Sequence, residues 1–213
     1  MLVRHIMASP VQTAQADMPV LEAVQLMKEK GIERLPIVDG EKLVGVVTKD
    51  RLLRAAPSTA TSLSLHELNY LYAKLTLREI MQKKVVTVSP DITVESAVRI
   101  AQEKKVGCLP VLENDKVIGI LTTNDFFYLV LNPILGIGES GARIIVRNVQ
   151  DPTQFKTAID CVVETGAKLT NAAYLPSRRG GEKDLLIHIE EDDAAKLVNC
   201  MKGKGLDAES RER

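Results

Sequence analysis

The chain has 213 residues, 45% of them apolar but only 3% aromatic and none Trp, so any core is built from Val, Leu, Ile, Ala and Met. Lys+Arg and Asp+Glu balance at 28 each, which leaves no global field to favour nucleic acid or an acidic partner. The cysteines, Cys108, Cys161 and Cys200, are odd in number, far apart and without a C-x-x-C. They suggest neither a disulfide framework nor a zinc site.

The N-terminal run MLVRHIMASP has no apolar signal region, and no stretch approaches the roughly 18 apolar residues of a membrane span. The expectation is a soluble, cytoplasmic protein with no membrane partner. An internal repeat then dominates. Sliding the chain by 74 residues aligns Val3–Thr48 with Leu77–Thr122 without a gap, and sixteen of the 46 pairs are identical. Chance gives about three, at a usage of roughly 5–7% per residue type.

Each copy predicts the order βαββα. A short strand falls around Val11–Thr13 and Val85–Val88. The helix that follows carries Val20, Leu21, Val24 and Met27 at one-face spacing in the first copy. Val94, Ala97, Val98 and Ala101 do so in the second. Next come the strands Leu35–Val38 and Leu109–Leu112, a polar turn, and the strands Leu43–Val47 and Val117–Leu121. A second helix opens near Thr48 or Thr122. One copy buries little surface by itself, and two packed as a pseudo-twofold pair bury more and leave clefts between them.

Between the copies, Pro57-Ser58-Thr59 signals a loop. Ser64 and Glu67 form a capping box opening a helix with Leu65, Leu68, Leu71 and Tyr72. That stripe either packs on the repeat or joins a dimer interface. After the second copy a helix over Phe126–Asn132 is expected to end before Pro133. Gly136-x-Gly138-x-x-Gly141 has the spacing of a dinucleotide fingerprint but the wrong context, since a helix precedes it and a strand follows. It reads as a linker. From Arg143 the order is βαββαβ, the ferredoxin-like plan: strand Arg143–Val149, helix Pro152–Thr165 with Phe155, Ile159, Val162 and Val163 inward, strands Lys168–Leu175 and Asp184–Ile189 joined by a turn over 176–181, helix Asp192–Lys202 with Ala195, Val198 and Met201 inward, and a strand near Leu206–Ala208.

The histidines, His5, His66 and His188, are scattered, and His188 in its apolar strand reads as structural. No ligand set for a metal converges and no nucleophile–base pair is visible. No catalytic activity is expected.

Ile6-Met7 and Ile80-Met81, Ala23-Val24 and Ala97-Val98, Leu35-Pro36 and Leu109-Pro110, and Gly45-Val46-Val47-Thr48 beside Gly119-Ile120-Leu121-Thr122 together resemble the cystathionine-β-synthase (CBS) domain, which occurs in pairs called Bateman modules. The resemblance implies a non-catalytic sensor that binds AMP, ADP, ATP or another adenosyl compound as regulatory ligand, not as catalytic cofactor. It also implies a homodimer and a regulated protein that the sequence does not name. The family's Thr-x-x-Asp motif is complete in Thr122-Thr123-Asn124-Asp125. Glu33 and Arg34 of the first copy are its expected partners, with Gln12 bordering the base and Arg34 pairing with phosphate. In the first copy Asp50 follows Thr48 one residue early, a rotation of about 100° on a helix. That cleft, with Val86, Gly107 and Cys108, is the second site.

The C-terminal segment resembles an ACT domain, a small-molecule sensor. Gln150-Asp151-Pro152-Thr153-Gln154-Phe155 stands where that family carries Asp-x-Pro-Gly-x-Leu, with Thr153 in place of Gly. The order CBS–CBS–ACT looks like the acetoin-utilisation-type regulatory proteins of bacteria. The expected fold is α+β: residues 1–76 a first CBS domain with its helical linker, 77–135 a second, 136–142 a linker, and 143–213 an ACT-type domain. A dimerising adaptor with degenerate sites, or an amino-acid sensor acting through the last domain, remain as alternatives.

Overall fold

In the computed structural model, which describes residues 1–55, 74–176 and 183–211, each copy of the repeat forms a hairpin. β1 (Ala14–Gln15), α1 (Val20–Lys30), β2 (Arg34–Asp39), β3 (Lys42–Thr48) and α2 (Lys49–Ala55) come from the first copy. α3 (Leu77–Ile80), α4 (Val94–Lys104), β4 (Cys108–Glu113), β5 (Lys116–Thr122) and α5 (Thr123–Phe126) come from the second. The first hairpin turns at Gly40 (φ 62°), the second at Asn114 and Asp115 (φ 50° and 63°). These are the positive-φ positions that two-residue turns demand. The strands form one sheet in the order β1-β2-β3-β5-β4. All belong to a unit spanning Met1–Phe126, while Phe127–Arg213 forms another.

The expected helix and hairpins of each copy are present. Three details differ. The first strand lies at Ala14–Gln15, pairing parallel with β2, and not at Val11–Thr13. In the second copy only Val88 makes a bridge, to Val111. The buried seam of α1 is Val20, Ala23 and Met27, while Leu21 and Val24 are 46% and 39% exposed. Val20, Ala23 and Met27 share one core with Leu35, Ile37 and Val47 of the sheet. In α4, Val94 and Ala97 are buried and Val98 and Ala101 half-buried. The proposed helix with Leu65, Leu68, Leu71 and Tyr72, together with His66, lies outside the described residues.

The Ile-Met segments are exchanged between copies. Ala8 and Ile120 bond reciprocally through their backbones (2.9 and 3.1 Å), as do Gln82 and Val46 (2.9 and 3.1 Å). Each copy's leading segment thus completes the other copy's sheet.

The second unit begins with a π-helical turn over Phe127–Leu131 and α6 (Asn132–Leu135). Pro133 sits in the first turn of α6, where a missing N–H costs nothing, so it does not end the helix there. Gly136 caps α6 in the left-handed conformation (φ 59°). β6 (Arg143–Val149), α7 (Pro152–Thr165), β7 (Leu169–Pro176), β8 (Lys183–Ile189), α8 (Ala195–Gly203) and β9 (Ala208–Arg211) follow. The sheet order is β7-β8-β6-β9 with every neighbour antiparallel. Ile144, Val146, Leu185, Ile187 and Ile189 of the sheet pack against Ala158, Cys161, Val162, Leu197 and Met201 of the helices. Val163, expected inward, is 76% exposed, and Ala195 is exposed while Leu197 takes the core position. His188 is 1% exposed, and its Nε2 accepts a hydrogen bond from Arg143 Nε at 3.2 Å.

One cysteine expectation is overturned. Cys161 of α7 and Cys200 of α8 are disulfide-bonded across 39 residues of sequence. Their spacing gave no signal, because the pairing depends on two helices meeting on one sheet face. No helix among the described residues is long and apolar enough to cross a membrane.

Candidate functional site

The hairpin registers set the proposed site residues of each copy side by side at the open end of its own hairpin. Arg34 pairs with Thr48, and Cys108 with Thr122. Lys49 N–H donates to Glu33 O (2.9 Å) and Thr123 N–H to Gly107 O (3.4 Å). The loop before each Pro-containing strand is thereby fastened to the start of the following helix.

The two Thr motifs differ in what they already bind. Asp125 accepts from the backbone N–H and the hydroxyl of Thr122, both at 2.7 Å. Thr122 Oγ1 accepts in turn from Asp125 N–H at 3.4 Å. The motif is thus a reciprocal cap of α5. In the first copy Thr48 Oγ1 accepts from Arg51 N–H at 3.3 Å. Asp50 pairs with Arg54 at 2.9 Å, and Arg51 Nε donates to the Ile80 carbonyl.

A cavity of about 500 Å³ opens on the Thr48 side. Val46 and Leu53 from the first copy and Val85, Val86 and Val106 from the second give it apolar walls. Thr48, Gln82 and Cys108 add polar atoms, Arg34, Lys49 and Lys105 positive charge, and Glu33 and Asp50 negative charge. A further cavity of about 520 Å³ shares Thr48, Asp50 and Gln82 with it and adds Arg51, Arg54 and Glu79. The Cys108 thiol is pushed above its usual range by burial and drawn partly back by Arg34.

Seven of the residues singled out from sequence therefore line one cavity: Glu33, Arg34, Thr48, Asp50, Val86, Gly107 and Cys108. Glu33 and Arg34 come from the group expected beside Asp125. Arg34 lies along the boundary between the two clefts, because a Cβ built on Gly107 stands 3.4 Å from its Nη2 and 3.9 Å from Thr123 Oγ1. Thr122, Asn124, Asp125 and Gln12 are not in that lining. Gln12 is exposed, and its amide donates to Thr13 O. Sequence reasoning passed over Lys49, Gln82 and Lys105. Lys105 was open to detection, since the repeat alignment sets it opposite Gly31.

A CBS domain family model matches residues 3–58 and 77–132. An inosine-5′-monophosphate dehydrogenase of Korarchaeum cryptofilum is 34% identical over 132 residues, 62% of this chain and 25% of its own length. The chain spans about a quarter of the length of such curated relatives. Among solved structures, an acetoin utilization protein (AcuB) from Vibrio cholerae is 30% identical at a TM-score of 0.52, covering 62% of this chain and 91% of its own. The CBS domain pair of protein MJ0100, in complex with 5′-methylthioadenosine and S-adenosyl-L-methionine, is 28% identical at 0.50, covering 61% and 94%. CBSX2 in complex with AMP is 28% identical at 0.50, covering 62% and 96%.

Proposed function

The chain belongs to the CBS-domain family, and from that premise we propose that its paired repeat binds an adenine nucleotide or a related adenosyl compound in the Thr48 cavity, as a regulatory ligand and not a substrate. The observation that carries this reading is the cavity itself. Apolar walls from both copies suit a purine, and Arg34, Lys49 and Lys105 suit phosphate. The Thr48 hydroxyl and the carboxylates of Glu33 and Asp50 suit a ribose. The complexes of MJ0100 with adenosyl ligands and of CBSX2 with AMP support the ligand class.

The Thr122–Asp125 motif, with Asn124 and Gln12, is the second site of this proposal. A ligand there has to displace the bonds between Asp125 and Thr122. Gly107 and Cys108 border both.

We read the second unit as an ACT-type, ferredoxin-like domain, on its βαββαβ order and the strand order β7-β8-β6-β9. Asp151 is engaged as the N-cap of α7, its side chain accepting from Thr153 and Gln154 N–H, so amino-acid capture is not assigned to it. The proposed setting is a cytoplasmic homodimer acting on a regulated protein, with domain limits at 1–76, 77–135 and 143–213.

Calorimetry of the full chain with AMP, ADP, ATP and 5′-methylthioadenosine tests the reading. Saturable binding of at least one is expected, and absence of binding by all four refutes it.

A further inference from the structure

Gly31 and Lys105 hold the same place in the two copies, closing α1 and α4, and both are left-handed, with φ of 63° and 54°. A Cβ is unfavourable in that conformation, which is why glycine usually takes it. Crowding does not explain the difference, since nothing lies within 4 Å of a Cβ built on Gly31. The second copy therefore keeps a strained lysine where the fold accepts glycine. Such an outlier is a reason to look for a role.

Lys105 lines the Thr48 cavity beside Arg34. Other cations around the two connected cavities have partners. Lys49 faces Glu33 at 3.9 Å, Arg54 holds Asp50, and Arg51 donates to the Ile80 carbonyl. Arg34 and Lys105 have no such partner among the described residues. Two positive charges without an ion-pair partner thus line a cavity with apolar walls, Arg34 half-buried and Lys105 exposed.

We propose that Lys105 and Arg34 form an anion-selecting pair, making this cleft discriminate in favour of phosphorylated nucleosides against uncharged or cationic adenosyl compounds. The proposal rests on the nucleotide reading of the same cavity and adds its ligand charge. A phosphate neutralises both cations and takes charge-assisted hydrogen bonds from them. A thioether leaves them uncompensated, and a sulfonium is repelled.

Titrations of the full chain with AMP, ADP, 5′-methylthioadenosine and S-adenosyl-L-methionine test it, on the wild type, Lys105→Gly and Arg34→Gln. The wild type is expected to prefer AMP to 5′-methylthioadenosine by at least about tenfold at low salt, and added salt should narrow the gap. Each variant is expected to lower that ratio by about tenfold, the scale of one hydrogen bond to a charged group. Lys105→Gly should melt no lower than the wild type, because glycine fits the backbone, so its weaker discrimination is not unfolding. An unchanged ratio in both variants overturns the proposal. So does a wild type that binds 5′-methylthioadenosine as tightly as AMP, although the cavity reading then stands. Binding of none of the four, and none of ATP either, removes both.

Discussion

Gly45 of the first copy and Met81 of the second occupy one space. A Cβ on Gly45 would stand 2.5 Å from the Met81 sulfur and 2.8 Å from its Cγ. Gly119 and Met7 repeat the relation in the opposite sense, at 2.5 and 3.0 Å. All four residues are among the identities of the repeat. They are there because each copy lends its Ile-Met segment to the other copy's sheet, and only glycine leaves room for it.

Gly45→Ala is therefore expected to destabilise the first unit by about 1–3 kcal/mol, the usual cost of overpacking. Met81→Ala alone should cost about 2–5 kcal/mol through the cavity it leaves. Together the two changes relieve each other, and the double variant should be more stable than the sum predicts by more than about 0.5 kcal/mol. Urea denaturation of the four proteins measures the coupling, and strict additivity would contradict the shared space.

Asp125 offers a separate test, because it caps α5 and is not among the residues that line the Thr48 cavity. Replacing it with Ala removes the bonds to Thr122 and should cost about 1 kcal/mol of stability, typical of a lost cap. Nucleotide affinity at the Thr48 cavity should change by less than about twofold. A large loss of affinity with stability intact would move the principal site to the Thr122 side.

Much of this was legible in the sequence, and the limits have physical causes. The 74-residue repeat gave the helix and hairpin of each copy, because apolar periodicity and turn residues act locally. It did not give the exchange of Ile6-Met7 and Ile80-Met81, since identical residues at identical places do not say which copy they touch. Apolar spacing in α1 fits both Val20-Leu21-Val24-Met27 and Val20-Ala23-Met27, and spacing alone does not choose the second, which is the buried seam. The Thr-x-x-Asp motif drew attention to Asp125, yet the same spacing makes a self-satisfying cap. The open cavity lies instead where Asp50 and Arg51 depart from the motif. Its lining comes from four separate segments between Glu33 and Cys108, which no local pattern reveals.

Cys108 provides a reporter for that cavity. It is the free cysteine of the chain and lines the cavity wall. Burial raises its pKa above the ordinary thiol value and Arg34 only partly offsets this, so at pH 7–8 less of it is thiolate than in an exposed cysteine. Alkylation with iodoacetamide should therefore be slower than for a model thiol and should accelerate as pH rises through and beyond about 8.5. Saturating AMP should slow it further, by about tenfold or more, if the ligand covers the wall. Peptide mapping that found labelling at Cys108 indifferent to every nucleotide tested would place the ligand elsewhere.

The disulfide between Cys161 and Cys200 carries a prediction confined to the second unit. Cys161 is fully buried in the core and Cys200 half-buried, and the bond ties α7 to α8 over a separation of 39 residues. Closing a loop of that size in the unfolded chain stabilises the native state by about 4 kcal/mol in the chain-entropy estimate. The two units have separate cores, so denaturation need not follow a single transition. Dithiothreitol should lower the midpoint for the second unit and leave that of the first unchanged. The double variant Cys161→Ala, Cys200→Ala should unfold at the reduced midpoint and ignore the reductant. Mass spectrometry of the denatured, unreduced, alkylated chain should count one modified cysteine, Cys108. Three modified cysteines would mean that the bond does not form and that the helices are held by packing alone.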